Sequence, residues 1–129
     1  MRDALRQFKA DVFQALAHPT RVAIVEILCD GEQSAGSLVE RLGVEPANAS
    51  QHLAVLRSRR IVEGRREGNQ VIYSLRDPLL MEVLEVMRRY FQAHLTEATA
   101  MLQDLHDERP ASSPAGSGEE SEATVEAAQ

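Results

Sequence analysis

The chain has 129 residues, 43% of them hydrophobic, and a net charge of −6, enough for one small domain with a modest core and an appendage. No uninterrupted apolar run approaches the roughly 18 residues of a membrane helix, and the charged N-terminus MRDALRQFKAD has no signal-peptide core, so a cytoplasmic protein without a membrane partner is expected. Cys29 is the only cysteine, which excludes an intrachain disulfide and a cysteine-built metal cage within one chain.

Over residues 4–16, Leu5, Phe8, Val12 and Leu16 fall on one helical stripe with Phe13 beside it. Ala17 to Thr20 interrupts, and Pro19 suits the first turn of a second helix carrying Val22, Ile24, Val25, Ile27 and Leu28. Asp30-Gly31 ends it. Ser34 is placed to cap a third helix bearing Leu38, Val39 and Leu42, with Gly43 as its stop. Pro46 opens a fourth helix, with Ala49, Leu53 and Leu56 on its inner side.

The period then changes. Val71, Tyr73 and Leu75 alternate as in a strand, Val62 to Arg66 is its expected partner, and residues 67–70 make the turn. Asp77 and Pro78 start a last long helix with apolar residues on more than one face. The tail from about Glu108 is rich in Ser, Gly, Pro, Ala and Glu and holds almost no large apolar residue, so it reads as disordered. The expected organisation is a domain over 1–107 and an acidic tail over 108–129. The expected fold is mainly α with a small β-hairpin, in the order α-α-α-α-β-β-α. A short helix, a Gly-containing turn, a second helix and a hairpin make a winged helix-turn-helix.

Three groups of residues suggest a function. On the fourth helix Ala47, Asn48, Ser50, Gln51 and Val55 face out, with His52 half-buried or within reach of a phosphate. Asn and Gln suit adenine, Ala suits a thymine methyl, and the lack of Arg among them argues against guanine readout. The plain alternative, ordinary solvated helix positions, fits Asn48 and Gln51 taken alone. Between Ser50 and Arg66, however, stand five arginines (57, 59, 60, 65 and 66) and one acid, Glu63, in an otherwise acidic chain. A local cationic patch, rather than the net charge, sets the field a phosphate backbone meets. Arg57, Arg59, Arg60, Arg65, Arg66, Asn69 and Gln70 are therefore the expected phosphate and wing contacts, although one or two of the arginines could simply be solvated. The third group is Leu5 and Phe8 on the first helix with Val83, Met87, Tyr90 and Phe91 on the last, more apolar surface than one small core uses. A second copy of the chain related by two-fold symmetry would bury it.

These stretches together resemble the ArsR/SmtB family of bacterial winged-helix repressors. The resemblance rests on FQALAHPTR over 13–21, LGV over 42–44, ASQHLAVLR over 49–57 and GRREGNQVIYSL over 64–75. It covers about residues 4–106, and its pieces are specific only in combination. It implies a homodimer that binds an inverted repeat in double-stranded DNA and represses until a signal releases it. The sensing residues depart from the family. QSAGSL over 33–38 lacks the paired cysteines of metal-sensing members, and His94-x-x-Glu97 and Asp104-x-His106 stand in the wrong order for the family's metal pairs. No metal is expected; an inter-protomer zinc site from His94, Glu97 and His106 is the minor reading against solvated helix positions. Cys29 reads first as a buried small hydrophobe and only second as a redox sensor. The effector, small-molecule or redox, stays unidentified. No Ser-His-Asp set, phosphate loop or pocketed carboxylate pair is legible, so no enzyme and no cofactor are expected. The competing function is a dimeric protein-interaction module on the same scaffold, without specific DNA binding.

Overall fold

The computed structural model describes residues 1–108; the expected tail beyond lies outside the described residues. Chain order is α1 (Arg2–Leu16), α2 (Pro19–Cys29), β1 (Gln33–Ser34), α3 (Ala35–Leu42), α4 (Pro46–Ser58), β2 (Val62–Glu67), β3 (Gln70–Leu75) and α5 (Leu79–Glu108). Two compact units divide inside α5: Met1–Val86 carries every other element, and the second unit starts at Met87. In the second unit the described residues are one run of helix.

The local signals work as their chemistry requires. His18 Nδ1 accepts from the Thr20 backbone N–H at 3.0 Å and caps α2 ahead of Pro19. Ser34 Oγ accepts from the Ser37 N–H at 3.1 Å and caps α3. Asp77 Oδ1 accepts from the Leu79 N–H at 2.9 Å at the start of α5. Each satisfies a donor that a helix N-terminus leaves without an intrahelical partner.

α3 and α4 end alike with different residues. Gly43 follows α3 in the left-handed region at φ 66°, which costs a residue without a Cβ little. Arg60 follows α4 at φ 58° and is the only non-glycine with positive φ among the described residues. Its N–H bonds to the Arg57 carbonyl at 3.0 Å, and the Ile61 N–H reaches back to the Leu56 carbonyl at 3.0 Å. That pair of bonds is a Schellman motif, and its usual apolar contact is supplied by the buried Leu56 and Ile61.

The sheet has three antiparallel strands in the order β1-β3-β2. The hairpin was legible in the sequence; β1 was not. Gln33 and Ser34 pair with Tyr73 and Ile72, so the residue that caps α3 also joins the sheet. The β2–β3 register runs from Val62↔Leu75 to Glu67↔Gln70, closed by the two-residue loop Gly68-Asn69. Gly64 lies opposite Tyr73, whose ring leaves only 3.0 Å to where a Cβ at position 64 would stand.

The core of the first unit gathers one stripe from each element. Ile24, Val25, Leu38 and Leu56 are completely buried, and Leu28, Leu53, Ile61, Val62 and Tyr73 close around them. Leu16 joins from α1, and Leu80 and Leu84 pack on it from the start of α5. Burial of such side chains stabilises by about 1.5–3 kcal/mol each. This core holds α4 against α2 and sets the hairpin immediately after it.

Candidate nucleic-acid interface

α4 is bound to the core by Ala49, Leu53 and Leu56, all buried. A helix held on one side by positions i, i+4 and i+7 must turn the others outward. Ala47, Asn48, Ser50, Gln51 and Val55 are all exposed, as the sequence pattern predicts, and so is Ala54, which that pattern alone did not single out. The first basic residue of the helix is Arg57, in its last turn. The outer face is therefore uncharged and hydrogen-bonding over its N-terminal turns and cationic only at its end.

His52 belongs elsewhere. It is half-buried, its ring centroid lies 4.2 Å from that of His18, and its Nδ1 is 3.3 Å from Arg21 Nη1. Arg21 also donates to the Ala15 and Gln14 carbonyls at the end of α1. One guanidinium thus ties α1 and α2 to the middle of α4. Burial, and after it the neighbouring His18 and Arg21, hold the His52 imidazole below its ordinary value of 6.5. A neutral Nδ1 is what Arg21 requires as an acceptor. Of the two sequence readings for His52, half-buried or within reach of a phosphate, the first describes its burial here.

The arginines divide in the same way. Arg65 was expected at a phosphate, yet its guanidinium grips both oxygens of Glu32 and also reaches Glu67 at 3.0 Å. Glu32 immediately precedes β1, so the pair fastens the wing to the segment that starts α3. The hydrogen bond from Arg65 holds the Glu32 carboxyl below the usual carboxylate range. Arg59 lies 3.6 Å from Asp11 of α1. Arg57, Arg60 and Arg66 are exposed and make no ion pair among the described residues. At the hairpin tip Asn69 and Gln70 are exposed beside Gly68.

The sensing candidates stay apart. Cys29 is half-buried, and burial first, then Asp30 and Glu26, push its thiol above the ordinary value of 9.0. A raised pKa leaves less of the thiolate, which is the nucleophilic form. His94 stacks on Tyr90 with ring centroids 6.5 Å apart, and His106 and Glu97 are exposed. Among the described residues no group of three or more His, Cys, Asp or Glu is placed to hold a metal ion. No single helix there is long and apolar enough to cross a membrane.

An exposed polar-faced helix after a tight turn, followed by an arginine-bearing hairpin, defines a winged helix-turn-helix regulator. The family model described as bacterial regulatory protein, arsR family, matches residues 18–63, from the cap of α2 into β2. The chain is 40% identical over 104 residues to the HTH-type transcriptional regulator Rv0081 of Mycobacterium tuberculosis, covering 80% of this chain and 91% of that protein. The crystal structure of Rv0081 superposes with a TM-score of 0.68, over 74% of this chain and 96% of that one. A biofilm growth-associated repressor of Xylella fastidiosa is 34% identical over 89 residues, 69% of this chain and 78% of that one. The solution structure of a homodimeric winged helix-turn-helix DNA-binding domain from Mycobacterium bovis, Mb0332, is 28% identical with a TM-score of 0.68, over 74% of this chain and 89% of that one. The chain belongs to the ArsR family of bacterial regulatory proteins and is a DNA-binding transcriptional regulator.

Proposed function

We propose that this regulator is a cytoplasmic repressor that binds an inverted-repeat operator as a homodimer. The observation that carries the reading is the outer face of α4: Asn48 and Gln51 are exposed while Ala49, Leu53 and Leu56 are buried, and Arg57 and Arg66, further along the chain, are exposed as well. In this reading Asn48 and Gln51 contact adenine edges, Ala47 and Val55 lie against thymine methyls, and Ser50 reaches a base or a phosphate. Arg57, Arg60 and Arg66 neutralise phosphates, and Asn69 and Gln70 bring the wing tip to the adjoining backbone. Arg65 and His52 act from behind, the first by holding the wing and the second by holding α4. Two-fold pairing uses the apolar faces of α1 and α5, where Leu5, Phe8, Val83, Met87, Tyr90 and Phe91 are 43–70% exposed.

Mobility-shift titration on fragments from its own promoter region tests the proposal, combined with sedimentation to count protomers. A saturable shift that weakens steeply with salt is expected. Gln51→Ala should lower the preference for operator over random duplex by roughly 1–3 kcal/mol per lost contact. Absence of a shift on every fragment at low salt, together with co-purification of a protein partner, would replace the reading with that of a protein-interaction module.

A further inference from the structure

Three basic groups converge behind α4. His18 at the start of α2 and His52 in the middle of α4 have ring centroids 4.2 Å apart, with planes tilted by 35°. Both rings use the Nδ1 lone pair on a donor that cannot reverse its role. His18 Nδ1 accepts from the Thr20 backbone N–H at 3.0 Å, and His52 Nδ1 stands 3.3 Å from Arg21 Nη1. A guanidinium has donors only and keeps its proton, so His52 Nδ1 bonds it as an acceptor. An imidazolium, in contrast, donates from both nitrogens. A proton arriving at Nδ1 therefore breaks a contact: at His18 the cap of α2, at His52 the tie from Arg21 to α4. With both rings charged, like charges would also face each other across 4.2 Å.

The surroundings disfavour such a proton. Burial opposes it at His52, and after burial the charges of His18 and Arg21, both from α2, oppose it further. From α1 the Gln14 and Ala15 carbonyls accept from Arg21, while Asp11 faces Arg59 at 3.6 Å. Among the described residues no charge from α3 or β2 bears on the His52 ring. His52 directly follows Gln51 and lies about one turn beyond Asn48 on the same unbroken helix. A shift of α4 at His52 thus moves both residues of its outer face.

We propose that His18 and His52 form a proton-operated latch, in which proton uptake at Nδ1 parts α4 from α2 and the signal that releases the operator is acid. The latch stands on the cluster itself; its effect on the operator rests on the DNA-binding reading above. The sign follows from linkage. The parted state gives His52 an ordinary imidazole environment and binds the proton more tightly, so acidification below about pH 6.5 favours it. General electrostatics run the other way, because a more cationic protein holds any duplex more tightly as pH falls. Only the ratio of operator to random-duplex affinity isolates the latch.

NMR of the full chain without DNA, from about pH 8 to about pH 5, follows both rings across the range in which imidazoles titrate. Nuclear Overhauser contacts between the His18 and His52 rings are expected at the alkaline end. They should disappear as His52 titrates, while circular dichroism shows the chain still folded. Operator anisotropy at fixed salt then reads the consequence: the operator-to-random ratio should fall roughly threefold or more between about pH 7.5 and about pH 5.5. In His52→Gln, which keeps an oxygen acceptor for Arg21 but does not titrate, the ratio should stay level with pH. His18→Asn, which keeps a capping acceptor for Thr20, should reduce the fall. Ring contacts that persist after His52 has titrated would overturn the latch. An equal fall in the parent and His52→Gln would overturn its part in release. Absence of operator binding at every pH would sink the DNA-binding reading and leave the ring contacts to decide the latch.

Discussion

Two neighbouring arginines on one strand should behave differently when removed. Arg65 and Arg66 stand on β2, opposite Ile72 and Val71, so their side chains leave opposite faces of the ribbon. Arg65 is held by Glu32 and Glu67, whereas Arg66 is exposed and has no ion pair among the described residues. Each phosphate neutralised contributes about 0.9 to the slope of log K against log salt. In a dimer, loss of Arg66 removes two such contacts and about 1.8 from the slope. Over a fourfold rise in salt, the affinity of Arg66→Ala should then fall about 12-fold less than that of the parent. Arg65→Ala should leave the slope unchanged and instead lower the discrimination between operator and random duplex, because the wing loses its fastening. Fluorescence anisotropy with labelled operator at four or more salt concentrations measures both quantities. Equal slope losses in the two variants would refute the division of labour and return Arg65 to the phosphate contacts.

Three further outcomes test the fold that positions this surface. Gly64→Ala should destabilise by about 1–3 kcal/mol in denaturant unfolding, since its Cβ would meet the buried Tyr73 ring at 3.0 Å and Val71 at 3.3 Å. Ser34→Ala removes the oxygen that receives the Ser37 N–H and should cost about 1 kcal/mol by the same assay. Stability should be level above about pH 6.5 and decline as pH falls through that value toward the lower folded-state pKa of His52, because the unfolded imidazole takes up a proton that burial, and after it His18 and Arg21, deny the folded one. His52→Gln should remove that part of the pH dependence in thermal melts, and an unchanged acid limb would show that the decline arises elsewhere.

Much of this architecture was legible in the order of residues because its signals are local. Ser34, Pro19 and Asp77 act on backbone groups within a few positions, and Ala49, Leu53 and Leu56 fix the inner face of α4 by spacing alone. The exposure of Asn48, Ser50 and Gln51 follows from the same arithmetic, as does the change to a period of two at Val71. The strand β1 was not legible: two residues carry no periodicity, and their pairing with Tyr73 and Ile72 spans some forty positions of chain.

What the sequence determined by itself was the set of elements, the inner and outer faces of α4 and the local concentration of arginine. Which of those arginines is free was decided only when the chain folded. The order of residues cannot tell Arg65 from Arg66 by charge; the turn that carries Glu32 up to β2 does so. In the same way His52 faces Arg21 and His18 because α2 packs on α4. Ion pairs and ring contacts reach only a few ångströms, so partners distant along the chain meet only through tertiary packing.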